Sequence, residues 1–332
     1  MSQQHSVLIV GAGSGGLSIA ARLRNQPNPP AVTIIGPSEY HYYQPLWTLV
    51  GAGVFDKEVT RRAQRDYIPD GVRWLKTRVV SFEPDQHSVT TADGEHHSYE
   101  QLVVAVGIQL DWEKIEGLSG NLGKHGICSN YSYDTVDSTR AALSSFRAGN
   151  AVFTFPATPV KCAGAPQKIM YLADDVFRRA GVRGRSRVIY AAAGASIFGV
   201  QKYARALSKV VERRGIETMF RHHLIAVDAP KRQAFFKHLD SGQELTLPFE
   251  FLHITPPQSA PDVVKMSALA NADGWVEVHK HTLQHTRYPD VFALGDASSL
   301  PTSRTGAAIR KQAPVLVDNL VAYREGRPLS AS

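Results

Sequence analysis

The apolar positions of this chain follow two rhythms. Short, mostly continuous apolar runs at Ser6–Val10, Val32–Ile35, Gln101–Gly107, Asn150–Phe155, Arg187–Ala193 and Val291–Asp296 are too short for ordinary helices. They are rich in β-branched residues, so they read as strands of a buried parallel sheet. Between them, apolar residues recur at three- and four-residue spacing, as in Leu17, Ile19, Ala20, Ala21 and Leu23, or Ile169, Leu172, Ala173, Val176 and Phe177. That spacing predicts helices after Gly16, over Thr135–Arg147, Gln167–Ala180 and Phe198–Arg213, and from Thr305 onward. Gly181 and Gly215 stop two of them, and Pro314 should kink the last. Two meanders interrupt the alternation: Trp74–Phe82 with His87–Thr91, and Leu224–Asp228 with Ala234–Leu239 and Glu244–Pro248. Phe251–Thr255 and Trp275–Val278 read as further strands, and Gly117–Asn130, rich in glycine, serine and asparagine, as a linker. Strands alternating with helices predict an α/β fold with two βαβ arrangements.

The first arrangement carries chemistry. Gly11, Gly13 and Gly16, with Ser14 and Gly15 between, form G-x-G-x-x-G in the order strand, loop, helix, strand. Gly11 permits a tight turn, Gly13 lets a pyrophosphate approach the backbone, and Gly16 lets helix and strand pack closely. The helix N-terminus then faces phosphate charge. The acidic residue expected at the end of the second strand is replaced by Gly36, with Ser38 and Glu39 as nearby substitutes for contacting a ribose. In the second arrangement the loop reads Ala192-Ala193-Gly194-Ala195-Ser196-Ile197, and Ala192 and Ile197 argue against NAD(P) there. Gly107, after an apolar strand, allows close approach of backbone to a ligand. Gly295-Asp296 ends another strand, where the carboxylate can accept a bond from a ribityl hydroxyl. The aromatic loop His41–Trp47 carries Gln44, whose amide reads equally as loop packing or as a cofactor contact.

With 332 residues, 43% of them hydrophobic, the chain can build two cores. Its formal net charge of +7 suits anionic cofactors or an anionic membrane surface. No basic run with interleaved aromatics suggests nucleic acid. Met1–His5 lead directly into a strand, so no signal or transit peptide is expected, and Val188–Val200 is too short to span a bilayer. The expected location is cytoplasmic or peripheral on a membrane. Cys128 and Cys162 form no C-x-x-C, so neither zinc nor a local redox disulfide is indicated. His279, His281 and His285 read as solvated surface, and no metal site is expected. Cys162 has Lys161 beside it, Lys168 soon after, and Pro166 at the start of a helix, all of which favour a thiolate.

Four segments narrow the reading: His41–Gly53 (HYYQPLWTLVGAG), Thr158–Tyr171 (TPVKCAGAPQKIMY), Ile197–Tyr203 (IFGVQKY) and Leu300–Ala307 (LPTSRTGA). With the glycine loop and Gly295-Asp296, they resemble the sulfide:quinone oxidoreductases, within the flavoproteins that carry two dinucleotide-binding domains. The resemblance implies two Rossmann-like domains, the second inserted into the first: 1–115 with 272–332 for FAD, and 116–271 between them. It implies FAD as cofactor, with Gly11, Gly13, Ser14, Gly15, Gly16, Gln44, Val79, Gly107, Gly295 and Asp296 as its contacts. Sulfide and a quinone are the implied partners, and Cys162, with Lys168, is the implied catalytic pair. The family's second redox cysteine and its terminal amphipathic helices would fall beyond Ser332. A slowed cycle and at most weak peripheral membrane contact are therefore expected. A flavoprotein with little turnover and an NAD(P)H-dependent flavin reductase stand as alternatives; the latter needs a working second loop.

Overall fold

The computed structural model describes residues 3–332. The chain forms two compact units: residues up to 42 with 62–109 and 259–332, and residues 43–61 with 110–258. The sequence-based division differs from these units at 43–61, 110–115 and 259–271.

The first unit is built on a seven-stranded sheet. Gln3–Val10 lies at its centre, parallel to Val32–Ile35 on one side and to His96–Val104 on the other. The long strand His96–Val104 pairs twice on its far side. Its first residues meet Ser88–Thr91 in antiparallel fashion, and Leu102–Val104 meet Val291–Ala293 in parallel. Trp74–Phe82 is not one strand. Arg73–Leu75 joins the parallel sheet beside Val32–Ile35, and Val79–Glu83 pairs with Ser88–Thr91. The helices Ser14–Arg24 and Gly306–Arg324 pack together. Leu8, Ile9, Ile19, Leu23, Ile34, Leu102, Phe292, Leu316 and Leu320 are fully buried in this core. Each such side chain contributes about 1.5–3 kcal/mol. The helix Gly306–Arg324 runs through Pro314, capped by Thr305, whose hydroxyl accepts from the Ala308 N–H. Trp275–Val278 forms only isolated bridges rather than a strand.

The second unit holds a five-stranded parallel sheet in the order Ile127–Cys128, Phe251–His253, Gly149–Phe155, Ser186–Ala192, Glu217–Phe220. An antiparallel meander follows, His222–Asp228, Gln233–His238 and Glu244–Pro248. The helices are Val136–Ser145, Ala165–Arg179 and Gln201–Arg214. Gly117–Asn130 is not a solvated linker. Leu118, Ile127, Cys128 and Ser129 are buried, and Ile127–Cys128 is the sheet's edge strand. Its glycines instead serve the turns, as at Gly126, where φ is +84° and a side chain would collide with the Glu250 carbonyl. Residues 43–61 join this unit because the helix Trp47–Gly51 packs on Val136–Ser145. Gly51 makes the approach feasible, since an added Cβ would lie 3.1 Å from Thr139 and 3.4 Å from Asn130.

Candidate functional site

The first unit brings the glycine-loop residues together at the carboxyl ends of its parallel strands. Gly11 has φ +113° and donates to the Ile35 carbonyl at 2.9 Å; a side chain there would strike the Ala105 carbonyl. A side chain on Gly16 would strike the carbonyl of Gly11. Both glycines are thus required by the packing of the turn itself. Gly13 differs: an added Cβ would meet nothing within 4 Å. It is the extended N-cap of the helix Ser14–Arg24, with no side-chain cap and no acidic residue in the first turn. Gly13 and Ser14 are exposed. Open N–H groups beside a helix start suit a phosphate. Gly15 sits inside, within 3.7 Å of Ala105, Leu294 and Ile309 for an added Cβ.

Gly36 is glycine because Ala12 fills its space, 2.5 Å from where a Cβ would stand. The two proposed substitutes are engaged: Ser38 donates to the Tyr40 carbonyl at 2.7 Å, and Glu39 pairs with Lys76. Gly107 has φ +76° and open space around it. Gly295, at φ +73°, donates its N–H to Gln312 Oε1 at 2.9 Å, and Arg304 Nε donates to the Asp296 carbonyl at 3.1 Å. The Arg304 guanidinium stacks 4.0 Å from the centre of the Trp275 ring. Gln64 Nε2 donates to the Ala12 carbonyl at 2.8 Å, steadying the glycine loop. The pattern along the chain offers no signal for Gln312, Arg304 or Gln64, because their partners lie in other elements. Val79 is buried at the start of an antiparallel strand, with its side chain in the core.

The second unit positions Cys162. It is half-buried with φ +55°, and its carbonyl accepts from the Ala165 N–H at 2.8 Å. The helix Ala165–Arg179 begins there, with Pro166 in its first turn and no side-chain cap at Gly164. Lys168 Nζ donates to Cys162 Sγ at 3.7 Å. Lys161 directs its ammonium to Gln44 Oε1 at 2.7 Å and to the Tyr131 carbonyl at 3.0 Å. Gln44, a candidate cofactor contact by sequence, therefore has its amide oxygen bound to Lys161 within this unit. Cys128 is fully buried, and burial pushes its thiol up, out of the reactive range.

The histidines divide. His279 and His281 are exposed, but His285 is buried, contrary to its surface reading. Its Nδ1 accepts from the N–H groups of Arg287 and Tyr288, and its Nε2 donates to the Leu269 carbonyl at 3.1 Å. Among the described residues, no three His, Cys, Asp or Glu side chains cluster to hold a metal. No helix among them is long and apolar enough to cross a membrane.

A family model described as pyridine nucleotide-disulphide oxidoreductase matches residues 5–152. The solved sulfide:quinone oxidoreductase of the hyperthermophilic bacterium Aquifex aeolicus superposes with a TM-score of 0.84 over 98% of this chain and 78% of that one. At 20% identity it shows the shared fold. The mitochondrial sulfide:quinone oxidoreductase of Dictyostelium discoideum is 45% identical over 98% of this chain and 72% of its own length. That of Mus musculus is 47% identical over 94% of this chain and 70% of its own length. At that identity and coverage the chain belongs to the sulfide:quinone oxidoreductase family of flavin-dependent oxidoreductases.

Proposed function

We propose that this chain is an FAD-dependent enzyme that oxidises sulfide at Cys162 and delivers the electrons to a quinone. The observation that carries the reading is Lys168 Nζ at 3.7 Å from a half-buried Cys162 Sγ at the start of a helix. The glycine cradle supports FAD as the cofactor. The N–H groups at Gly13 and Ser14 would receive its pyrophosphate, and Asp296 a ribityl hydroxyl. When bound, FAD supplies the two-electron acceptor that a quinone reoxidises.

The protein's own part centres on sulfur. The Cys162 thiolate and HS⁻ join through a new S–S bond, releasing one proton and two electrons and leaving a persulfide anion on Cys162. Lys168 donates to the anionic sulfur before and after that step, and the helix start adds partial positive charge. The net charge of +7 favours contact with anionic lipid, where a quinone resides, through charge that salt would screen.

The test is anaerobic mixing of the FAD-loaded protein with sulfide, comparing wild type with Cys162→Ser and Lys168→Met. The expected result is flavin bleaching in the wild type, none in Cys162→Ser, and bleaching slowed at least about tenfold in Lys168→Met. Equal bleaching in wild type and Cys162→Ser would remove Cys162 from the reaction.

A further inference from the structure

Two segments 117 positions apart meet at the ammonium of Lys161. That ammonium donates to Gln44 Oε1 and to the Tyr131 carbonyl, and it lies 5.2 Å from the centre of the Trp47 ring and 5.9 Å from that of Tyr131. Trp47 is itself fixed: it is 6% exposed, and its Nε1 donates to Thr60 Oγ1 at 3.2 Å. The backbone N–H of Lys161 donates to Oε1 of the buried Gln258 at 2.9 Å. Lys161 is therefore held at both ends, by Gln258 at its backbone and by Gln44, Trp47 and Tyr131 at its tip.

The next residue is Cys162, whose φ of +55° puts a non-glycine residue in the left-handed region. Such a conformation is strained for a residue with a side chain and persists where the surroundings over-determine it. Here the determinants are the clamp on Lys161 before it and the Ala165 N–H bond to its carbonyl after it. The same conformation leaves Sγ facing Lys168. Adjacency in sequence suggests that Lys161 acts on the sulfur through its charge. The contacts of its ammonium describe a tie instead.

We propose that Lys161 is a positioning residue, whose bond to Gln44 and stacking on Trp47 hold the left-handed Cys162 turn so that Sγ stays against Lys168. The inference deepens the reading of Cys162 as the sulfide acceptor and rests on it for its significance. Its test reads thiol chemistry without sulfide or flavin reduction, so the two fail separately.

The experiment measures alkylation of Cys162 by iodoacetamide across a pH range, resolved from Cys128 by peptide mass spectrometry. The variants are Gln44→Leu, Gln44→Glu, Lys161→Met and the Gln44→Leu/Lys161→Met pair. Gln44→Leu removes no charge, yet it should slow alkylation near neutral pH about three- to tenfold, in the same direction as Lys161→Met. The double variant should be no slower than Lys161→Met alone, because both changes cut one tie. Gln44→Glu keeps an acceptor and should stay within about twofold of wild type. Melting curves verify folding, and Gln44→Met, close to glutamine in size, replaces the leucine variant if that one fails to fold. Unchanged or faster alkylation in Gln44→Leu overturns the proposal. A freed ammonium acting by charge would give that result.

Discussion

The two glycine-loop positions of this chain, Gly11–Gly16 and Ala192–Ile197, stand in matching βαβ contexts and are built differently. In the first, the helix begins at Ser14, directly after an extended Gly13 with open space before it. In the second, Ala192 is still the last residue of its strand, and the following helix does not begin until Gln201. Between them Ala195, Ser196, Gly199 and Val200 are exposed, while Ala193 and Ile197 turn inward. Ile197 is 3% exposed within the second unit's core, and its carbonyl accepts from Gln167 Nε2. The Gly194 carbonyl accepts from the Arg221 N–H at 3.1 Å. Thus the first loop sets a helix start directly at a strand end, whereas the second has no helix start there and commits its third position to apolar packing. A βαβ frame supplies the place for a dinucleotide; the residues of the turn decide whether N–H groups face outward.

The most severe way to break this contrast is Gly16→Ala. The added methyl would strike the Gly11 carbonyl, and backbone on both sides must move. A loss of about 3 kcal/mol or more is expected, together with loss of bound flavin. Chemical denaturation and the absorbance of the purified protein check both, and a fully stable, flavin-bound variant would contradict the tight-turn role. Ile197→Gly attacks the second loop from the other direction by restoring a glycine. It should cost about 2–5 kcal/mol through the cavity it leaves and still confer no binding of NADH. Bleaching of the flavin by NADH in this variant would show that the side chain alone had blocked the site.

A smaller effect concerns pH. In the first unit His5 is buried, its Nδ1 2.9 Å from Thr33 Oγ1 and its Nε2 3.1 Å from His97 Nδ1. Burial foremost, then the neighbouring His97, holds its pKa down from 6.5 to about 4. The folded pKa lies below the unfolded value, so the unfolded chain takes the proton first. The stability contributed by neutral His5 is complete above pH 6.5 and is lost as pH falls towards about 4. That one proton gives a slope of up to about 1.4 kcal/mol per pH unit. His5→Gln should flatten the stability–pH curve in this window, measured by urea titration at several pH values. An unchanged curve would assign the acid sensitivity to other groups, such as the buried His285 or His253.

What could be read from the sequence were features that depend on near neighbours. Gly11, Gly13 and Gly16 declare themselves because turn geometry is local, and Ile197 declares itself by size. Cys162 and Lys168 are flagged by their closeness along the chain, Cys162 just before a helix and Lys168 in its first turns. What could not be read depends on partners far along the chain. Gln312 latches Gly295, Gln64 braces Ala12, and Arg304 leans on Trp275 while bonding Asp296. Gln44 carries an amide that a cofactor could use, and only the fold reveals that Lys161 takes it. Gly117–Asn130 has the composition of a linker, yet Ile127 and Cys128 acquire a strand partner from residues 252 and 253. His285 looks like its exposed neighbours, yet it closes a turn with three backbone bonds.

The contrast between the loops comes down to whether the first takes up a dinucleotide and the second does not. Calorimetric titration of flavin-free protein with FAD and, separately, with NADH tests it most directly. The expected result is one FAD per chain, retained in Ile197→Gly and lost in Gly16→Ala, with no heat of binding from NADH. Saturable binding of NADH to the wild type, or no binding of FAD at any concentration, would contradict it.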